Sequence, residues 1–340
     1  MLHHNIEATM RIFVPATALP LILAAAASAE VPSVAVDIAP VHSLVARVME
    51  GVGDPGLILP PGASPHGHSM RPSEARMLQN ADLVVWIGED LTPWLAGPVA
   101  TLAGKAESLE LLEAEGTTVL EFREGATFEA HGHDEEDHDH EGDGHEDHGH
   151  EDDGHDHDHA HDDGDGHDHH GHDPHAWLDP QNARLWLGVI AERLAGLDPE
   201  NAETYAANAA AGQAELDALS GQIEAALAPV RAAPFVVFHD AYQYFETRFG
   251  VTAAGSISLA DASDPSPARI AEIQRKVAEL GVTCAFAEPQ FNPGLIDTVF
   301  RGTEARIGTM DPLGSALQPG TQLYPQLLTE MADSLVACLQ

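Results

Sequence analysis

The histidines of this 340-residue chain fall into two groups, and three of them stand singly in segments predicted to be ordered. His66 follows the apolar run GLIL, His175 precedes a helical pattern, and His239 ends the apolar run FVVFH. Neutral imidazole is a common ligand of Zn²⁺, and three imidazoles leave a fourth position for a carboxylate or water. Each histidine, taken singly, is explained at least as well by packing or capping. Their joint placement predicts one shared zinc site, because open α/β sheets bind ligands beyond the carboxyl ends of their strands.

The fourth ligand of such a site stays open from the sequence. Asp311, in the loop GTMDPLG, is the first candidate, Glu288 in FAEPQF is a weaker one, and water or a residue from the acidic tract described next are the others. His68 lies two residues from His66 and competes with it, because the spacing in SPHGH does not distinguish the two. His42, at the start of a helix, is interpreted as a residue that packs or supports the site.

The second group of histidines lies in an acidic tract of low complexity, which we predict to be a disordered loop at residues 129–173. The tract contains 20 Asp and Glu residues, and no Lys or Arg occurs between Arg123 and Arg184. Such a segment buries too little apolar surface to offset the entropy lost on ordering. It can still wrap a metal, but less tightly than a preorganised site. The predicted auxiliary, low-affinity ligands are His131, His133, His138, His140, His145, His148, His150, His155, His157, His159, His161, His167, His169, His170 and His172.

Composition and the beginning of the chain restrict the function further. A formal net charge of −40 argues against nucleic acid and anionic membranes as partners, because phosphate groups are bound by Lys and Arg. The segment MRIFVPATALPLILAAAASAE, which begins at Met10, combines a positive residue, an apolar run and a small-x-small cleavage site. It predicts a signal peptide at residues 1–29 and an exported, soluble protein.

Strand and helix patterns alternate both before and after a long Ala-rich helix, which predicts the α/β class. We expect two α/β lobes with central sheets, joined by this helix, and a metal site in the cleft between the lobes. The predicted boundaries are residues 30–198 for the N-terminal lobe, 199–228 for the linking helix and 229–340 for the C-terminal lobe. Asp179 and Asp198, each followed by proline, are predicted helix N-caps.

Cys284 and Cys338 are the two cysteines of the chain. In an oxidising compartment an isolated pair forms a disulfide more often than a metal site. A bridge between them would fasten the end of the chain to the second lobe and would stabilise the fold by ~4 kcal/mol in the chain-entropy treatment.

Five segments, in this order and divided by the acidic tract, carry a resemblance to a known family. They are LPPGASPHGHSMRPSEARMLQNADLVVWIG, DPHAWLDP, FVVFHDAYQYFETRFG, FAEPQFN and IGTMDPLG. The set resembles the ZnuA-type proteins, the periplasmic solute-binding components of zinc ABC transporters, over nearly the whole chain after the signal peptide. The resemblance implies two lobes joined by a rigid helix, zinc ligands at His66, His175 and His239, and the disulfide between Cys284 and Cys338. Some relatives have Glu immediately before the first histidine, whereas this chain has Pro65 there, so the fourth ligand remains open.

The resemblance also implies a function. The chain is expected to be a monomeric periplasmic protein that captures Zn²⁺ and delivers it to the membrane permease of an ABC transporter, with a periplasmic zinc metallochaperone as a further candidate partner. The alternative is a periplasmic zinc buffer or metallochaperone without a permease partner. The tract has three interpretations: an antenna that passes zinc to the ordered site, a buffer or sensor that limits uptake, and a docking site for a metallochaperone or a segment with no role in transport.

A zinc hydrolase is the rival from another functional class, because a three-histidine site with an open position also suits catalysis. The sequence contains no HExxH motif. Asp240 and Glu288 are the nearest candidates for a general base, and neither has a persuasive spacing; Asp240 is better interpreted as a helix cap. We therefore predict that the protein is not an enzyme.

Overall fold

The computed structural model describes residues 31–123, 171–258, 266–291, 294, 296 and 299–340. Residues from Val31 to Gln340 belong to one compact unit. The predicted signal peptide and the predicted auxiliary histidines from His131 to His170 lie outside the described residues, so those predictions stay untested.

The first sheet is built from continuous apolar runs, of which VAV and LVVW are fully buried, as expected for strands covered on both faces. Its order is β2-β1-β3-β4 and all its pairs are parallel. Helices α1 (Ala39–Val48), α2 (Pro72–Gln79) and α3 (Pro93–Leu102) alternate with these strands. The strands are β1 (Val34–Val36), β2 (Gly56–Leu57), β3 (Leu83–Trp86) and β4 (Glu107–Glu110).

A two-stranded antiparallel ribbon follows the first sheet and includes the end of the acidic tract. Strand β5 (Leu120–Glu121) pairs with β6 (His172–Asp173). The tract was predicted to be disordered through residue 173, and this is wrong for its last two residues. They are ordered because they pair with β5 and because the Tyr244 hydroxyl donates to the Asp173 carbonyl at 2.7 Å.

The helices that follow join the two halves of the chain. A 3-10 turn (Ala176–Leu178) leads into α4 (Pro180–Leu197), and a second turn (Pro199–Asn201) leads into α5 (Ala202–Leu227). At ~1.5 Å per residue, the 26 residues of α5 span roughly 39 Å, which agrees with the predicted long helix.

Both predicted caps lie at the N-cap positions of their segments. The Asp179 side chain accepts a hydrogen bond from the Gln181 N–H at 2.8 Å, so this cap is confirmed. Asp198 occupies the predicted N-cap position, with Pro199 directly after it. Its carboxylate accepts from the Asn201 amide and the Tyr205 hydroxyl, and these bonds, with the backbone N–H groups of Asn201 and Glu200, lower the pKa of this carboxyl.

The second sheet repeats the parallel arrangement, in the order β10-β9-β7-β8. Helices α6 (Gln243–Phe249) and α7 (Pro267–Leu280) flank its strands, and α8 (Leu323–Leu339) closes the chain. Two parallel sheets with a long connecting helix confirm the predicted α/β class and two-lobe architecture. The strands are β7 (Phe235–His239), β8 (Ala253–Ser258), β9 (Cys284–Ala287) and β10 (Arg306–Thr309).

One continuous hydrophobic core connects the two sheets. It includes Val36 of β1, Leu216 of α5, Phe235 of β7 and Leu328 of α8, all of which are buried. Packing shared between the halves therefore places the ends of β2 and β7 with respect to each other, which matters for the site described below.

The predicted disulfide is confirmed, since Cys284 at the start of β9 is bonded to Cys338 in α8. The bond fastens the last helix to the second sheet. None of the helices within the described ranges combines the length and the apolar character that crossing a bilayer requires.

Candidate metal centre

His66 lies in the Pro- and Gly-rich loop that follows β2. The Trp94 indole N–H donates to the carbonyl of Pro65 at 2.7 Å, and the His66 N–H donates to the Ser64 hydroxyl at 3.3 Å. These bonds hold a segment that has no regular secondary structure of its own. The loop thus presents the partly buried His66 ring toward the His175 and His239 rings, with centroid distances of 5.4 Å and 6.5 Å.

His175 stands between the β5–β6 ribbon and the 3-10 turn that precedes α4, and it is 4% exposed. Oδ1 of Asp173 accepts hydrogen bonds from the His175 backbone N–H at 3.0 Å and from its ring Nδ1–H at 2.7 Å. An ionised carboxylate only accepts hydrogen bonds, so this partner assigns the proton to Nδ1 and leaves the Nε2 lone pair for a metal.

His239 is the last residue of β7 and is also 4% exposed. Its Nδ1–H donates to Oε1 of Glu288 at 2.6 Å. Glu288 directly follows β9, which is the parallel neighbour of β7, so the two side chains meet at the carboxyl edge of the second sheet. The arrangement repeats that of Asp173 and His175: a carboxylate fixes the tautomer, and Nε2 is directed away from it.

The three predicted histidines converge. His66, His175 and His239 each offer a ligand atom, and these atoms lie within 4.8 Å of one another. The Nε2 atoms of His175 and His239 are 3.4 Å apart. Two nitrogens bound to one tetrahedral Zn²⁺ at ~2.0–2.1 Å would be separated by about 3.3 to 3.4 Å, so this pair already has the spacing of zinc ligands.

The electrostatics of this pair also favour a cation. Since both Nδ1 atoms donate to carboxylates, both Nε2 atoms direct lone pairs toward the same small space. Two acceptors at 3.4 Å form no hydrogen bond with each other, and a divalent cation between them turns this repulsion into two coordinate bonds.

His68 and His42 lie outside this group. The His68 ring shares a hydrogen bond with Glu74 at 2.9 Å and packs edge-on against Trp94. These contacts hold the ring against residues of its own half of the chain. The His42 ring lies 3.1 Å from the Pro55 carbonyl through Nε2, and burial lowers the pKa of this imidazole. His42 is thus a packed residue of α1.

Asp311, the first candidate for the fourth ligand, is not among the side chains that the structure brings together with the histidines. Its carboxylate accepts hydrogen bonds from the Leu313 N–H at 3.0 Å, from the Ser315 N–H and hydroxyl, and from the Gln290 amide at 3.0 Å. These donors fix the turn that follows β10. Direct binding of zinc by Asp311 would compete with these hydrogen bonds.

Asp240, which follows His239, does not cap α6 as expected. Its carboxylate pairs with Arg123, whose guanidinium also binds Glu246 with contacts of 2.8 and 3.0 Å. Burial raises the pKa of the Asp240 carboxyl, and Arg123 acts in the opposite direction. This ion-paired cluster ties the chain just before the acidic tract to the residue beside a candidate ligand.

Sequence reasoning missed Asp173, Gln290 and Arg123. Asp173 was assigned to the disordered tract, although its position two residues before His175 suits a short-range hydrogen bond. Gln290 and Arg123 gave no local indication of their roles, because the residues that they contact are 21 and 117 positions away in the sequence.

Comparisons with known proteins find a matching family, similar sequences and a similar fold. The family described as "Zinc-uptake complex component A periplasmic" matches residues 34–338. The high-affinity zinc uptake system protein ZnuA of Brucella abortus (strain 2308) is 48% identical to this chain over 306 residues, which cover 90% of this chain and 91% of that protein. The corresponding protein of Paracoccus denitrificans (strain Pd 1222) is 45% identical over 327 residues, with 94% and 97% covered. A crystal structure of ZnuA superposes with a TM-score of 0.71 at 20% identity, covering 92% of this chain and 100% of that chain, which shows a common fold.

Proposed function

This chain belongs to the ZnuA family of zinc-uptake components, and from this premise we propose that it captures Zn²⁺ in the periplasm with His66, His175 and His239 and delivers the ion to the membrane permease of a zinc ABC transporter. The observation that carries the proposal is the 3.4 Å separation of two imidazole Nε2 atoms, each oriented by a carboxylate on its Nδ1. Zinc is the cargo here and not a resident cofactor.

The position of the site suits capture followed by delivery. His66 and His175 belong to the half of the chain that contains the first sheet, and His239 ends a strand of the second sheet. Because the ligands come from both halves of the chain, a small relative movement of the halves would lengthen the distances between the ligand atoms. Release to a permease then requires only that the halves separate at this point.

The same geometry disfavours the hydrolase. Asp240 is paired with Arg123, and Glu288 accepts a hydrogen bond from Nδ1–H of the His239 ring. Both candidate bases are thus committed to structural hydrogen bonds. Members of this family are metal-binding transport components and not enzymes.

The acidic tract is proposed as an auxiliary, low-affinity metal loop that acts as an antenna. Its described end supports this role: His172 is exposed, with its ring nitrogens 4.0 Å from Asp90 and 3.5 Å from Glu121. The tract therefore rejoins the fold on an acidic surface, which attracts cations, and three residues before a proposed ligand. A sensor role and docking of a metallochaperone are the competing proposals.

Zinc titration of the wild type beside His66→Ala, His175→Ala and His239→Ala tests the site. We expect one tight equivalent in the wild type and its loss in each variant, while His68→Ala serves as the matched control and keeps it. Tight binding retained in His66→Ala and lost in His68→Ala would transfer the assignment to His68. Zinc uptake in a zinc-starved strain lacking this protein separates a transporter component from the alternative, a buffer or metallochaperone without a permease partner.

A further inference from the structure

Gln290 lines the same small cavity as the three histidines. It follows Glu288 by two residues, in the segment that leaves the carboxyl end of β9. Apart from the histidines, the cavity is lined mainly by apolar groups, among them Pro65, Trp177 and Leu313. A polar atom in such surroundings requires a hydrogen-bonding partner.

The orientation of the Gln290 amide is dictated by Asp311. The amide Nε2 donates to Oδ1 of Asp311 at 3.0 Å. A carboxylate accepts hydrogen bonds only, so the reverse orientation would place two oxygens against each other. Asp311 itself is held by the backbone N–H groups of Leu313 and Ser315. The amide oxygen is consequently directed away from Asp311.

The remaining atom, Oε1 of Gln290, is buried and accepts no hydrogen bond from the residues that the structure describes. A buried amide oxygen without a partner destabilises the folded state, so a donor beside the histidines is expected for it. A water molecule bound to Zn²⁺ is a strong hydrogen-bond donor, because the cation polarises its O–H bonds.

We propose that the fourth zinc ligand is a water molecule and that Gln290 is the positioning residue that accepts its hydrogen bond. This inference rests on the proposed function of the three histidines. Asp311 then acts through Gln290, and not as a ligand. A neutral amide that orients a neutral water keeps the site free of a fourth protein ligand, so fewer bonds to the protein must break when zinc leaves.

The first test is the rate at which a chelator removes zinc from the full-length protein. Gln290→Met keeps the length of the side chain and removes the acceptor, and Gln290→Ala provides a second variant. We expect zinc to dissociate about 10- to 100-fold faster, the usual effect of losing a residue that orients the ligands of a metal. Gln274→Met is the matched control, since Gln274 also donates one hydrogen bond, to the Val299 carbonyl at 3.0 Å, but does not line the cavity.

A spectroscopic measurement separates positioning of the water from a general structural effect. With Co²⁺ in place of zinc, ionisation of a metal-bound water changes the visible spectrum with pH. We expect this change in the wild type and a lower midpoint pH in Gln290→Met, because the amide oxygen stabilises the neutral water more than hydroxide. A pH-independent wild-type spectrum, or an unchanged rate and midpoint in Gln290→Met, overturns the proposal.

A double-mutant cycle distinguishes the two roles of Asp311. If Asp311 acts only through Gln290, adding Asp311→Asn to Gln290→Met causes no further loss of zinc affinity. If Asp311 binds zinc directly, the second substitution weakens binding again and the proposal fails. Loss of the tight site in the histidine variants would in that case still support the proposed function, so the two failures are distinguishable.

Discussion

The carboxylate of Asp173 holds His175 by two hydrogen bonds, from the backbone N–H at 3.0 Å and from ring Nδ1–H at 2.7 Å. Asp173 is also the last residue of β6 and the end of the acidic tract. The tract and the proposed zinc ligand thus meet at one side chain. A displacement of Asp173 would therefore also change the hydrogen bonds that orient the His175 ring.

Replacing Asp173 tests this relationship. In Asp173→Ala the His175 ring loses the acceptor that fixes its tautomer and rotation, and zinc affinity is expected to fall about 10- to 100-fold. The neighbouring His172→Ala is the control, because His172 is exposed and lies outside the group of three ligands. Competition with a zinc-binding dye measures both. Equal affinity of Asp173→Ala and wild type would contradict the assigned role.

Two deletions that differ by three residues test the separation between tract and site. Removal of residues 129–170 is expected to abolish the weaker zinc equivalents and to leave the tight one unchanged. Removal of residues 129–173 also takes away Asp173, and we expect the tight site to weaken as in Asp173→Ala. Calorimetric titration gives both stoichiometry and affinity. If the shorter deletion eliminates tight binding, the principal site lies in the tract.

Arg123 neutralises two buried carboxylates, those of Asp240 and Glu246, which are 7% and 4% exposed. Arg123→Met leaves both charges without this partner, and the free energy of unfolding is expected to fall by about 3 to 5 kcal/mol. Arg184→Met is the control, since the ion pair of Arg184 with Asp217 is largely exposed and is expected to contribute less than about 1 kcal/mol. Denaturant unfolding measures both variants. Equal losses of unfolding free energy would show that the buried ion pairs of Arg123 stabilise the fold no more than the exposed pair of Arg184 does.

Asp37 makes stability depend on pH. Burial raises the pKa of its carboxyl from 3.8 to about 7, although the N–H groups of Ile38 and Ile87 donate to it and oppose the shift. The native state then holds a proton that the unfolded chain has lost, so the contribution of Asp37 is present below pH ~4 and is lost as pH rises toward 7.

The expected slope for this one group is about 1.4 kcal/mol per pH unit. Asp37→Asn removes it, while Asp333→Asn, at an exposed position of α8, keeps it. Unfolding free energies measured between pH 4 and 7.5 give the comparison. Parallel pH curves for wild type and Asp37→Asn would show that the Asp37 carboxylate is already ionised in the folded protein at pH 4.

Much of the fold was predictable because it depends on local patterns. The runs VAV and LVVW became buried parallel strands, Gly250 and Gly281 ended α6 and α7 in the left-handed conformation, and Asp179 capped α4. Asp240 was misassigned as a cap. Arg123, which lies 117 positions away in the sequence, pairs with its carboxylate.

The choice between His66 and His68 shows what a linear sequence does not contain. Both are polar residues of the same loop, separated by one glycine. Their ring directions differ because Glu74 of α2 binds His68, whereas His66 faces His175 and His239. No spacing rule predicts this difference, since it depends on where α2 packs.

The sequence by itself determined the α/β class, the acidic tract, the disulfide-forming cysteines and the candidate histidines, with His66 and His68 left as alternatives. These depend on composition, periodicity and residue type, which are properties of neighbours along the chain. Only the tertiary structure decided that the Nε2 atoms of His175 and His239 lie 3.4 Å apart, that Asp173 and Glu288 orient them, and that Asp311 contacts Gln290. The physical reason is that a metal site is defined by distances of a few ångströms between groups far apart in sequence, and the shared core of the two halves sets those distances.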